Sequence, residues 1–342
     1  MPNPLETLAH SLAQQLLPAY SEAHVAEHNA WFLLEHLTHK SRAALIAHPE
    51  LQLTPEQENQ LQTWVNDIVQ DNKPIQYILG TVPFLDLTIK VRPPTLIPRP
   101  ETEEWCATLI ERLRSYGSIR FSTHQDADEK HSPRAGLQKL QTNKSKNTEA
   151  ARGECSPQVN VSNHSSGHQF TILDLCTGSG CIALALAHAF PKSTVYASDI
   201  SPEALALAQD NARLNNITNV TFIHSDLFNA IPHQRFNLII ANPPYITPEE
   251  YNSLDASVSQ WEDKKALVAD ENGLKIIHEI IKKAPPFLQK TEYPFPQVWI
   301  EIGYHQGASV SDLFKKYGFE PHILQDLYGN DRVVTGTLLE AF

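Results

Sequence analysis

No stretch of this 342-residue chain approaches the roughly 20 consecutive apolar residues that a membrane-spanning helix needs, so insertion into a bilayer is not expected. The first 20 residues contain no Arg and lack the layout of a secretory signal, which argues against export. Cysteine is scarce. Cys106, Cys155, Cys176 and Cys181 form no C-x-x-C pair, so neither a disulfide framework nor a zinc site is indicated, and a reducing compartment fits best. Positive charge is also in deficit: 27 Lys and Arg face 39 Asp and Glu, a formal charge of -12. That balance leaves no broad basic face able to release counterions from a nucleic-acid backbone, and sequence-specific binding of nucleic acid is not expected. What remains, at 41% hydrophobic residues, is a globular chain with enough apolar content for one large domain or two ordinary ones.

The first 73 residues read as helical. The clearest helix begins at Thr54, with Pro55 at its first position and Gln57 closing a capping box, and then Leu61, Trp64, Val65 and Ile68 form an apolar stripe. Such a unit is either a helical cap without chemistry or a docking module for a macromolecular substrate. Residues 74–114 turn extended and proline-rich, with Ile78 and Leu79, then Leu87 to Val91, then Pro93, Pro94, Pro98 and Pro100, and read as a short hairpin leading into a rigid interdomain connection. Over residues 115–168 hydrophobic periodicity vanishes while Ser, Asn, Gln, Lys and His accumulate, the composition of a disordered insertion. Its histidines (His124, His131, His164, His168) are too irregularly spaced for a metal tract.

Residues 169–342 then alternate. Strands are expected over Phe170–Leu175, Thr194–Ser198, Val220–Ile223, Phe236–Ala241 and Gln297–Ile302, and helices over Cys181–Ala189 and Pro202–Leu214, the latter capped by Ser201. This alternation specifies an α/β fold with a mainly parallel, doubly wound, Rossmann-like sheet, in which ligands bind beyond the carboxyl ends of the strands. Three of those ends carry unusual residues.

After the first strand comes Asp174-Leu175-Cys176-Thr177-Gly178-Ser179-Gly180, a turn whose glycines let backbone approach a ligand. Counted from Gly178, the third-glycine position of a dinucleotide fingerprint is Ala183, so the turn alone suits any nucleotide-like ligand. Asp199 closes the next strand, where a carboxylate can accept the ribose hydroxyls of an adenosine moiety or simply serve the helix start that follows. Asp226, with Leu227 after it, closes the strand beyond, within reach of an adenine amino group. Most telling is Asn242-Pro243-Pro244-Tyr245, directly after the apolar strand Phe236–Ala241. The prolines stiffen the chain and leave the Asn242 side-chain oxygen and the Pro243 carbonyl as fixed acceptors, a pair suited to an NH2 group. Holding both hydrogens of a planar amide or aromatic amine favours its pyramidal, nucleophilic geometry. Tyr245 adds an aromatic face for a planar acceptor or a sulfonium.

Together, Asp174 to Gly180, Asp199 and Asn242 to Tyr245 resemble the class I amino-methyltransferases. With Leu96-Ile97-Pro98-Arg99-Pro100-Glu101-Thr102-Glu103, Gln76 to Gly80, Trp261-Glu262 before Ala266-Leu267, Glu301-Ile302-Gly303 and Asp331 to Val334, the chain looks like the PrmC/HemK family of protein-glutamine methyltransferases over nearly all its length apart from the insertion. The resemblance implies a small helical substrate-docking domain before the catalytic one. It also implies methyl transfer from S-adenosylmethionine to the glutamine of the GGQ motif in peptide chain release factors, supporting translation termination. Asn242 and Pro243 would then hold the glutamine amide, with Pro244 and Tyr245 lining its slot. Cys176, Thr177, Gly178, Ser179, Gly180, Asp199, Asp226, Leu227 and Asn242 would hold the cofactor, and Arg99, Glu101 and Glu103 would close the site between the domains. Two positions depart from the pattern: Cys176 stands where many relatives have the first glycine of the turn, and Leu227 where some carry tryptophan. The alternatives are an adenine or cytosine amino-methyltransferase acting on a flipped base, a silent adaptor on the same fold, and a nicotinamide dehydrogenase. A cytoplasmic location is expected, or else the mitochondrial matrix.

Overall fold

The computed structural model describes residues 4–20, 22–128, 170–290 and 295–339. The N-terminal helices are α1 (Pro4–Leu16), α2 (Ala23–Thr38), α3 (Arg42–Ala47) and α4 (Pro55–Asp71). Both halves of the Thr54 capping box form: the hydroxyl accepts from the Gln57 amide and the Gln57 side chain accepts from the Thr54 amide. The α4 stripe buries Leu61, Val65 and Ile68 against Leu5, Leu12 and Leu16 of α1 and Trp31 and Leu34 of α2, with Trp64 half-buried beside them, so these helices have a core of their own.

Beyond Pro74 the chain first makes a short helix, α5 (Ile75–Leu79), where extended chain was expected for Ile78 and Leu79. Gly80, at φ 73°, ends it, and β1 (Thr81–Phe84) and β2 (Leu87–Lys90) then form the expected antiparallel hairpin. The segment from Pro100, read as connection, is instead the N-terminus of α6 (Pro100–Asp128), with Pro at the helix start and Glu101 and Glu103 in its acidic first turn. Its backbone stays helical through residues 115–128, which the composition assigned to the insertion; residues 129–168 of that insertion lie outside the described residues.

The remaining chain builds a seven-stranded sheet from β3 (Thr171–Leu175), β4 (Thr194–Asp199), β5 (Val220–His224), β6 (Leu238–Ala241), β7 (Val298–Glu301), β8 (Phe319–Gln325) and β9 (Asp331–Leu338), in the order β5-β4-β3-β6-β7-β9-β8. β5, β4, β3, β6 and β7 run parallel, while β9 is antiparallel to both β7 and β8. Helices α7 (Cys181–Ala189) and α8 (Pro202–Leu214) have the expected bounds. Short helices α9 (Pro248–Tyr251), α10 (Ala256–Ser259) and α11 (Lys264–Leu267) follow β6, then come α12 (Lys275–Lys283) and α13 (Gly307–Lys316).

The two-residue period of the strands splits the core. Ile172, Leu238, Ile240 and Trp299 face α6, α7 and the hairpin, with Leu109, Leu113, Leu184, Phe84 and Ile89 in the same cluster. Leu173, Leu175, Ile239, Ala241, Val298 and Ile300 face α12 and α13, where Ile277, Ile280, Val310 and Phe314 meet them. Strand order reverses between β3 and β6, and that switch point opens a crevice at their carboxyl ends.

Candidate active site

Each residue at the crevice is placed by a strand end. Beyond Leu175, Cys176 (φ 59°), Gly178 (φ 55°) and Gly180 (φ 83°) all take the left-handed conformation. At Cys176 a side chain carries the strain that glycine would avoid, which explains why glycine is the common choice there. A Cβ on Gly180 would lie 2.9 Å from the Ala208 Cβ of α8, so the bare backbone allows α8 to pack under the turn. A Cβ on Gly178 would meet no atom within 4 Å, and Gly178 lines a cleft at the strand ends. Leu96, Pro98, Arg99 and Thr102 wall the cleft opposite the turn, with Asn242 at its end.

The carboxylates around the turn are held by backbone. Asp199 Oδ2 accepts from the Gly178 amide at 2.8 Å and its Oδ1 from the Ser201 amide at 2.9 Å, which spans the two strand ends and leaves further lone pairs on both oxygens. Burial raises its pKa, opposed by those amides. Asp174 is fully buried: Oδ2 accepts from the Thr177 hydroxyl at 2.6 Å, while Oδ1 completes no hydrogen bond. Burial pushes its pKa to about 7, opposed by the Thr177 hydroxyl and the Ala183 backbone amide and reinforced by Asp199. Asp226 is exposed at the end of β5, accepting from Asn229, and Leu227 beside it has φ 47°.

Across the switch point, Asn242 follows β6. Its Nδ2 donates to Thr102 Oγ1 at 3.3 Å, and Thr102 donates onward to Glu301 Oε2 at 2.7 Å. Among the described residues, nothing donates to Asn242 Oδ1 or to the Pro243 carbonyl. Tyr245 is braced by its hydroxyl on Glu301 Oε1 at 3.3 Å and by its carbonyl on Gln306 Nε2 at 3.0 Å, and a Cβ on Gly273 would fall on that carbonyl. Glu301, at the end of β7, is 1% exposed, and its Oε2 also accepts from Trp105 Nε1 at 2.7 Å; burial raises its pKa, opposed by Trp105, Thr102 and Arg332.

Not every expected residue reaches the cleft. Glu103 accepts from the Leu85 amide at 2.7 Å, fixing the hairpin corner where Leu85 has φ 51°, so its carboxylate is spent on structure. Glu101 lines a separate groove with Arg112, Asp326 and Arg332. Arg99 does wall the cleft, anchored by Nη2 to Glu262 Oε2 at 2.6 Å. Glu262 is buried and its Oε1 takes the Ile97 amide at 3.4 Å, while Asp263 N donates to Pro94 O at 2.8 Å and Trp261 Nε1 to Asp71 O at 2.8 Å. Residues 261–263 therefore clasp the cleft wall and the end of α4 together. From the sequence, Thr102 belongs only to the Arg99 to Glu103 segment expected to close the site, Glu262 and Glu301 stand in motifs without a role of their own, and Trp105 lies outside those motifs.

Residues 9–80 match the PrmC N-terminal domain, and residues 158–260 match the Methyltransferase small domain. The release factor glutamine methyltransferase of Lactococcus lactis subsp. lactis is 34% identical over 282 residues, covering 82% of this chain and 83% of that protein. That of Flavobacterium psychrophilum is 31% identical over 309 residues, 89% of each chain, and that of Salmonella typhimurium is 33% identical over 331 residues, 96% of each.

Proposed function

Since this chain belongs to the release factor glutamine methyltransferase family, we propose that it transfers a methyl group from S-adenosylmethionine to the side-chain amide nitrogen of the glutamine in the GGQ motif of a peptide chain release factor. The observation that carries this reading is the pair of free acceptors, Asn242 Oδ1 and the Pro243 carbonyl, at the switch point of the sheet and beside the glycine turn.

The residues fit the cofactor. Gly178 has open space where a side chain would stand, Asp199 keeps lone pairs for ribose hydroxyls, and Asp174 Oδ1 is an unpaired buried acceptor. The carboxylates of Asp174, Asp199 and Asp226 all act on the Cys176 side chain, so the turn lies in a negative field suited to a cation. Cys176, Thr177, Gly178, Ser179 and Gly180 would supply backbone to the cofactor, Asp199 would hold its ribose, and Asp226 and Leu227 would meet its adenine. S-adenosylmethionine, when bound, supplies an electrophilic methyl group on a positively charged sulfur.

The chain's own residues prepare the nucleophile. Asn242 Oδ1 and the Pro243 carbonyl each take one hydrogen of the glutamine amide, drawing the nitrogen lone pair out of conjugation. Two stiff acceptors hold that geometry better than flexible ones, and holding the nitrogen in line with the methyl carbon is worth on the order of 7 to 11 kcal/mol of barrier reduction. Tyr245, braced at both ends, walls the slot with Pro244. No strong base is needed, because the amide becomes acidic only as the methyl group arrives and its proton then leaves to solvent.

We further assign residues 1–73 to docking of the release factor and residues 169–342 to catalysis, supported by the separate core of the helices and by their tie to the catalytic domain through Trp261 and Asp71. Among the described residues, no helix is long and apolar enough to cross a membrane. We place the enzyme in the cytoplasm, with the release factors it would modify. Labelled S-adenosylmethionine tests the reading: label should enter wild-type release factor and not one with Gln→Ala in the GGQ motif. Transfer to DNA or RNA instead would overturn it.

A further inference from the structure

The orientation of the Asn242 amide decides whether the slot offers an acceptor or a donor, and oxygen and nitrogen of an amide have nearly the same shape. Its neighbours settle the question. Thr102, at the start of α6, has one hydroxyl proton and donates it to Glu301 Oε2 at 2.7 Å. Glu301 receives donors only: Thr102, Trp105 Nε1 at 2.7 Å and the Tyr245 hydroxyl at 3.3 Å. With its proton committed, Thr102 Oγ1 faces Asn242 as an acceptor, and it takes Nδ2 at 3.3 Å. The reversed amide would set Oδ1 against the Thr102 lone pairs and turn a donor toward the slot.

We propose that Glu301 and Thr102 form a polarity relay, running from the buried carboxylate through the hydroxyl, that fixes the Asn242 amide with its oxygen toward the acceptor substrate. This rests on the reading that Asn242 Oδ1 receives the glutamine amide. Thr102 and Glu301 are thus positioning residues, and neither touches the reacting atoms. Thr102 is 2% exposed and Glu301 1% exposed, so water competes little for the hydrogen bond between them. They lie 199 residues apart, Thr102 at the start of α6 and Glu301 at the end of β7, and meet beside Asn242.

Thr102→Val and Thr102→Ser separate this from simple packing. Valine keeps the shape but removes the hydroxyl, leaving Nδ2 against a methyl group. The preference that Thr102 sets is then gone, the part-buried amide no longer holds its oxygen toward the substrate, and kcat falls roughly ten- to hundredfold. Serine restores Oγ1 and should hold kcat within about threefold of wild type by the same reasoning. The readouts are kcat on release factor, the Kd of S-adenosylmethionine by calorimetry, and the melting temperature. The relay requires the valine loss to appear in kcat with cofactor Kd unchanged, because general loosening of the Leu96–Thr102 wall would weaken cofactor binding too. A valine variant with near wild-type kcat, or a serine variant as impaired as valine, overturns the relay. Should valine not fold, Thr102→Ala is read on the same criteria. Wild-type activity on release factor is measured first, and its absence removes the underlying reading whatever the variants do.

Discussion

Asp174→Asn probes the buried carboxylate beneath the cofactor turn. Asparagine keeps an acceptor for the Thr177 hydroxyl and replaces the unpaired Oδ1 with a neutral group. The wild-type pKa rises from 3.8 to about 7 in the folded protein, chiefly through burial. At 1.36 kcal/mol per pH unit this difference corresponds to about 4 kcal/mol, and relaxation around the charge reduces the expected effect to about 2 to 4 kcal/mol. Because the folded-state value is raised, the folded protein keeps a proton that the unfolded chain has already released. The stability tied to Asp174 is therefore greatest below about pH 4, is lost as pH rises through about 7, and is flat above that. Urea unfolding of the cofactor-free protein across this range should show the variant gaining on wild type by about 2 to 4 kcal/mol from the acid end to about pH 8. Saturating S-adenosylmethionine should narrow the gap, since its positive charge favours ionised Asp174. A difference between the two proteins that stays constant to within about 1 kcal/mol over that range refutes the reasoning.

Gly180→Ala places a Cβ 2.9 Å from Ala208 on a backbone at φ 83°, and should cost about 2 to 3 kcal/mol in chemical denaturation while weakening cofactor binding measured by calorimetry. Thr54→Ala removes one half of the α4 capping box and should cost about 1 kcal/mol, seen as a lower melting temperature with cofactor affinity unchanged. Glu262→Ala leaves Arg99 without its partner and frees the Ile97 amide; activity assays should show a higher KM for release factor, and a KM equal to wild type would count against Arg99 as a wall of the site.

What could be read from the sequence was what neighbours along the chain determine. Thr54, Pro55 and Gln57 lie within one helical turn, and Ser201 and Pro202 adjoin the helix they start, so the start of α4 and both bounds of α8 were visible. Strands β3 and β6 declare themselves by apolar runs buried on both faces. Helix α5 has only five residues, too few for periodicity, and its placement depends on Ile75 and Tyr77 packing into two different clusters. The Pro and acidic signals at the start of α6 were present but were read as part of a proline-rich connection. Strand β8 lies at the sheet edge with a burial pattern that does not alternate, so it carries no clean two-residue period. At the site, the strand-end groups Asp199 and Asn242 followed from topology. Thr102 and Glu301 did not, because their meaning lies in a contact between segments that only the folded sheet brings together.

Mass spectrometry of release factor peptides after incubation with S-adenosylmethionine and either wild-type enzyme or Asn242→Ala tests the central claim most directly. The account predicts one added methyl group on the GGQ glutamine with wild type and none with the variant, while calorimetry shows the variant still binding cofactor. Methylation at another residue, or an Asn242→Ala enzyme that still modifies that glutamine, would contradict it.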